Sequence, residues 1–169
     1  MPKGFTRVYV NQAMDNSTEV GPAGTLTRVL RERVDTSHVA HLASLADAEC
    51  VLEARIEGAA DALGTQVQIT DPKVVAPPQV PKYTLALVGS ARLIDKNAQI
   101  VWSSGNVRVE EDYLSGQLAC RDANGNAVGC NASLTENAIP ATESNRRRAL
   151  ERAAEQLANQ LFTRMMEGF

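Results

Sequence analysis

The residue types that do chemistry are thinly spread along this chain. Its two histidines, His38 and His41, stand three positions apart. A zinc-protease helix needs two histidines flanking a glutamate at a wider spacing, and a tetrahedral site needs further ligands, so this pair reads as structural or surface side chains. Ser103, Ser104 and Gly105 do not make the Gly-x-Ser-x-Gly of a nucleophile elbow, and they fall inside a predicted strand. Glu110, Glu111 and Asp112 are candidates for paired-carboxylate work, but a solvated strand end explains three adjacent acids more simply. The stretch VGPAGTLT lies between a predicted strand and a predicted helix, the layout of a phosphate-binding turn. Gly21 and Gly24 are too close for the Walker arrangement, no lysine follows, and Gly-x-G-x-x-Gly is missing, so these residues are expected to shape a turn, with Gly24 or Thr25 opening the helix. No catalytic constellation, metal-ligand set or cofactor cradle emerges, and the expectation is a protein that is not an enzyme.

Two further groups carry information about environment. Cys120 and Cys130 bracket RDANGNAVG, whose Asn-Gly pair and other turn formers let the ends meet. A disulfide there would contribute about 2.5–3 kcal/mol in the chain-entropy model and would favour an extracytoplasmic compartment; two reduced surface thiols are the other reading. Arg146, Arg147 and Arg148 stand at the predicted opening of the last helix, where cations oppose the macrodipole. A lipid phosphate or an acidic partner would account for them, as would Glu143 and Glu151 at helical spacing.

The elements that position these residues follow from periodicity. Phe5 to Asn11 reads as a strand with apolar residues on both sides. Leu26, Val29, Leu30 and Val34 form the stripe of a short amphipathic helix. The segment TSHVAHLASLADAE has no clear period and stays unassigned. From Glu49 to Glu57, Cys50, Leu52, Ala54 and Ile56 alternate with Glu49, Glu53, Arg55 and Glu57, a strand with one dry face on which Cys50 is a small hydrophobe. ITDPKVVAPPQVPK holds four prolines and reads as an exposed excursion. YTLALVGSARLI and QIVWSSGNVRVEEDY flank DKNA as two long strands of a tight hairpin. A polar, turn-rich stretch precedes a long helix from about Ser144, striped by Leu150, Ala153, Ala154, Leu157, Ala158, Leu161 and Met165. The order β-α-β-β-β-α predicts an α+β fold, a four-stranded mixed sheet with two helices packed on one face.

Bulk properties narrow the partners. At 169 residues the chain suits one domain, residues 1–169. The 17 basic and 20 acidic residues give a net charge of −3, and aromatics are 4%, so neither a global basic field nor a stacking surface for nucleic acid is present. No apolar run approaches the roughly 18–20 residues that cross a bilayer. MPKGFTRVYV contains no apolar signal core or cleavage site, which leaves the compartment open between the cytoplasm and a signal encoded upstream.

Four stretches taken together, RVYVNQAMDNSTEVGPAGTLTRVLRERV, ADAECVLEARIEG, YTLALVGSARLIDKNAQIVWSS and RRRALERAAEQLANQLFTRMMEGF, resemble the LptE family of outer-membrane lipopolysaccharide-assembly lipoproteins. The match lies in Asn16, Thr18 and Gly21, then Leu26-Thr27 at the helix, Ala46-Asp47-Ala48 before the second strand, and Leu93, Asp95, Val101 and Trp102 around the hairpin. The resemblance implies a non-enzymatic protein that needs no cofactor, plugs an LptD-like outer-membrane β-barrel and assists insertion of lipopolysaccharide into the outer leaflet. It also implies an N-terminal lipid anchor at the periplasmic face of the outer membrane. Basic groups that meet lipid phosphates would serve such a role, and Arg92 and Lys96, on and beside the long hairpin, are the candidate lipopolysaccharide contacts. A periplasmic lipoprotein regulating a cell-wall synthase is the alternative, since related α/β lipoproteins share the opening strand, loop and helix.

Overall fold

The computed structural model describes residues 5–68, 79–116, 120–121, 127–128 and 138–167. In chain order the elements are β1 (Arg7–Val10), β2 (Met14–Asp15), α1 (Pro22–Thr36), β3 (His41–Leu42), β4 (Cys50–Gln68), β5 (Gln79–Asp95), β6 (Ile100–Ser103), β7 (Val107–Leu114), β8 (Cys120–Arg121), β9 (Ala127–Val128) and α2 (Ala138–Glu167). The main sheet runs β3-β1-β4-β5-β6, with β2 also on β4 and β7 also on β5; β8 and β9 form a separate ribbon. It is mixed, as expected: β1 is parallel to β3 and β4, β2 is parallel to β4, and β6 is antiparallel to β5.

Among the described residues the expected α+β class with two helices is found, but the main sheet has seven strands and not four. Two of the extra strands, β2 and β3, are two residues long, too short to show a period, and their positions are set by β4 and β1. The third comes from splitting the predicted strand over 99–113. Gly105 takes φ of +63°, and Ser104 ties itself to Ala91 through both its backbone N–H and its Oγ, so the chain leaves β6 and re-enters as β7. Helix α1 also starts earlier than expected. Gly21, at φ of +108°, stands before it and Pro22 occupies its first turn, where the missing N–H costs nothing. Gly24 therefore lies inside the helix. Of the exposed excursion read over 69–82, residues 79–82 instead begin β5, with Val80 buried and the Pro81 carbonyl accepting the Ser115 N–H, while residues 69–78 and the Cys120/Cys130 pairing lie outside what the structure describes.

The chain forms two compact units. One comprises Met1–Ala60, Ala86–Val109 and Glu151–Phe169, the other Asp61–Leu85 and Glu110–Leu150. In the first, the alternation read for β4 is realised, with Cys50, Leu52, Ala54 and Ile56 all buried together with Val8, Val10, Leu87 and Leu93. Leu26, Val29, Leu30 and Val34 of α1, and Ala153, Ala154, Leu157, Ala158, Leu161 and Met165 of α2, are buried as their stripes predict. The helices lie side by side: Arg28 pairs with Glu155 at 3.1 Å, and Arg33 Nε donates to Asn159 at 2.7 Å. Burial pushes the Cys50 thiol up to about 11, which makes it an inert core group at neutral pH.

The residues that carry the family resemblance hold this frame together. Asn16 N–H donates to the Ile56 carbonyl, fixing the loop to β4. Asp15 accepts from the N–H and Oγ of Ser17, so the loop satisfies its own polar groups. Thr27, almost fully buried, accepts the Ala13 N–H at 2.9 Å and donates to Ala23 O at 2.7 Å. Ser44 and Asp47 bond each other at 2.6 Å in the turn that leads into β4. Asp95 accepts the N–H groups of Asn97 and Gln99, closing the hairpin around Ala98 at φ of +61°.

Glu49 anchors the start of β1. Its Oε2 accepts the N–H of Thr6 at 2.7 Å and of Arg7 at 3.1 Å, while Oε1 meets the Arg7 guanidinium. The Thr6 and Arg7 backbone N–H groups, assisted by the guanidinium, hold this carboxyl below its usual range. A depressed folded-state value means stability that is present above the unfolded value and lost as pH falls through the folded one. Thermal melts should therefore show Glu49→Gln less stable than the parent at pH 7, with the gap closing below about pH 4. A gap independent of pH would contradict the assignment.

Candidate functional site

The helices cover one face of the sheet in the first unit, which leaves the polar face as the open surface. Met14, Glu53, Arg55, Glu57, Ser90, Arg92 and Ser103 line a shallow open groove there. The alternation of β4 supplies Glu53, Arg55 and Glu57, and that of β5 supplies Ser90 and Arg92. β4 and β5 are neighbours in the sheet, which brings opposite charges together. Nε and Nη2 of Arg92 both donate to Glu53 Oε2, at 2.9 and 2.8 Å, and Ser90 Oγ donates to Glu57 at 2.9 Å. Arg55 has no carboxylate partner among the described residues; its guanidinium rests against Met14 Sδ at 3.7 Å.

The two candidate contacts thus have different status. Arg92 is committed to Glu53, and its charge is balanced inside the groove. Lys96 is exposed in the hairpin turn, with no ion pair among the described residues, beside a shallow hollow also lined by Leu45, Ala48, Glu49 and Asp95. Arg55 belongs with Lys96 as an available cation. Sequence alternation placed Arg55 on the polar face but gave no means to rank it above Arg92.

The groups weighed for catalysis are not assembled into one. Ser104 Oγ donates to Gly105 O and accepts the Ala91 N–H, and no base is bonded to it. His41 lies on edge strand β3 and His38 in the turn after α1, both exposed. Among the described residues no group of three His, Cys, Asp or Glu side chains is placed to hold a metal ion. In the second unit, Asp112 pairs with Lys82 at 2.6 Å and accepts from Thr84 at 2.7 Å, and Lys82 followed by Thr84 holds its carboxyl below the usual range. Arg146 does not stand at the opening of α2, which begins at Ala138; it pairs with Asp61 at 2.8 Å. Arg147 and Arg148 are exposed and form no ion pair with Glu143 or Glu151.

A mixed sheet with two helices on one face and a polar, open second face places the chain in the α+β class. The same fold is seen in a protein from Helicobacter pylori described as a homologue of a neuraminyllactose-binding hemagglutinin, at 9% identity and a TM-score of 0.55, covering 96% of this chain and 87% of that one. The chain belongs to the LptE lipopolysaccharide-assembly family, whose model matches residues 5–165. Two lipoproteins are also similar: rare lipoprotein B from Shewanella oneidensis, at 18% identity, a TM-score of 0.45 and coverage of 94% and 96%, and lipoprotein B from Nitrosomonas europaea, at 19%, 0.45, and 97% and 86%. No curated protein sequence matches.

Proposed function

We propose that this protein is a non-enzymatic lipopolysaccharide-assembly lipoprotein that sits within an LptD-like outer-membrane β-barrel, supports it, and assists insertion of lipopolysaccharide into the outer leaflet. An N-terminal lipid would hold it at the periplasmic face of the outer membrane. The observation that carries the reading is the family match over residues 5–165. The groove is consistent with it, because a plug in a polar barrel lumen needs a stiff body with a hydrogen-bonding surface, and β4 and β5 present one. Affinity purification of the tagged protein from envelopes should recover an outer-membrane barrel. Recovery of a cell-wall synthase without a barrel would favour the alternative and overturn this one.

Phosphate contact on this surface is assigned to Arg92 and Lys96, with unequal weights. The Arg92 guanidinium must leave Glu53 before it can meet a phosphate, whereas Lys96 has no ion-pair competitor among the described residues. Replacing both with Glu should weaken binding to purified lipopolysaccharide, and Lys96→Glu alone should account for most of a roughly tenfold loss, the scale of one charge-assisted hydrogen bond. Arg92→Glu also sets a second carboxylate against Glu53, so circular dichroism must confirm the fold. Unchanged binding in the folded double variant removes both residues from the site.

A further inference from the structure

We infer that residues 141–148 of α2 form a strap in the second unit, held by polar latches, that opens separately from the rest of the helix when Arg146 is drawn away from Asp61. The two parts of α2 are anchored by different physics. From Ala149 onward the inward positions Ala149, Leu150, Ala153, Ala154, Leu157, Ala158, Leu161 and Met165 are all buried. Between 141 and 148 no side chain is fully buried. Polar contacts hold this stretch instead. Arg146 Nε donates to Asp61 Oδ2 at 2.8 Å, Asn145 Nδ2 donates to the Leu114 carbonyl at 3.0 Å, and Thr142 Oγ1 accepts the Gly116 N–H at 2.7 Å.

Such an attachment is weak and reversible in a way that an apolar one is not. The Arg146–Asp61 side chains are 29% and 28% exposed, so water and ions reach the pair. Asp61 is also not stranded when Arg146 leaves, because Tyr113 donates to its other oxygen at 3.2 Å and is itself fixed by stacking on Tyr83 at 5.4 Å. Burial, with the Asp61 charge adding to it, pushes the Tyr113 hydroxyl up to about 12, so this donor keeps its proton throughout the neutral range. Segments with few buried apolar contacts open at a fraction of the global unfolding free energy. An anion that competes for Arg146 therefore lowers the opening cost of the strap and of nothing else in α2.

Hydrogen exchange read by mass spectrometry or NMR tests this. Amides 146–150, whose helical bonds reach back to carbonyls 142–146, should exchange faster than amides 157–165, and raising NaCl should widen the gap. Arg146→Gln with Asn145→Ala should speed exchange at 146–150 by about tenfold or more, with 157–165 unchanged. Equal acceleration along the whole of α2, or exchange at 146–150 that neither salt nor the substitutions alter, would overturn the inference.

Discussion

Gly89→Ala is expected to destabilise the protein by about 1–3 kcal/mol, the range for overpacking a filled interior, and to lower the melting temperature accordingly. Gly89 lies in β5, and a Cβ built there would stand 2.7 Å from the Arg55 carbonyl oxygen of β4 and 2.7 Å from Leu157 Cδ2 of α2. The two obstacles differ in kind. Leu157 Cδ2 is the far end of a flexible side chain and can turn away, while the Arg55 carbonyl belongs to the β4 backbone, and moving it strains the β4–β5 pairing. The same shift would re-aim Arg55 in the groove, since that side chain leaves the sheet from the displaced backbone. Gly24→Ala supplies the control: nothing lies within 4 Å of a Cβ there, and the position is inside α1, so this change should be neutral or stabilising by a few tenths to about 1 kcal/mol. If Gly89→Ala melts with the parent, the close seating of α2 on β5 is not a constraint.

The sequence showed its helices more fully than its sheet, and the reason lies in which signals are local. The stripes of α1 and α2 are set by residues three and four apart, and every stripe residue read from them is buried. The β4 alternation was legible to Glu57. Beyond it, Gly58, Ala59, Ala60, Asp61, Ala62 and Leu63 have no apolar alternation, and none of them is buried, so the strand continues on its backbone pairing. The long hairpin was legible from DKNA, but not its break at Gly105, which depends on Ser104 finding Ala91 thirteen residues away. The site was legible as a polar face and illegible as a set of partners. Glu53 and Arg92 are 39 residues apart, and Asp61 and Arg146 are 85 apart; which cation is spent inside the protein and which is available follows only once strand register is fixed.

Leu157→Ala is expected to cost more than any other substitution considered, about 2.7–5 kcal/mol, because it removes a fully buried side chain and leaves a void whose walls relax only in part. The void would open where α2 bears on β5, beside Gly89, which has no Cβ, so the lining is a glycine that cannot reach in to fill it. That geometry couples the two predictions. Gly89→Ala in the Leu157→Ala background meets no Cδ2 atom and places a methyl group into the vacated space, leaving only the Arg55 carbonyl as an obstacle. Chemical denaturation of both single variants and the double variant should therefore give a double-variant cost smaller than the sum of the singles by about 0.5–3 kcal/mol, as residues in contact do. Strict additivity would mean that Leu157 and the Gly89 surface do not meet, and the seating of α2 over the centre of the first unit would have to be redrawn.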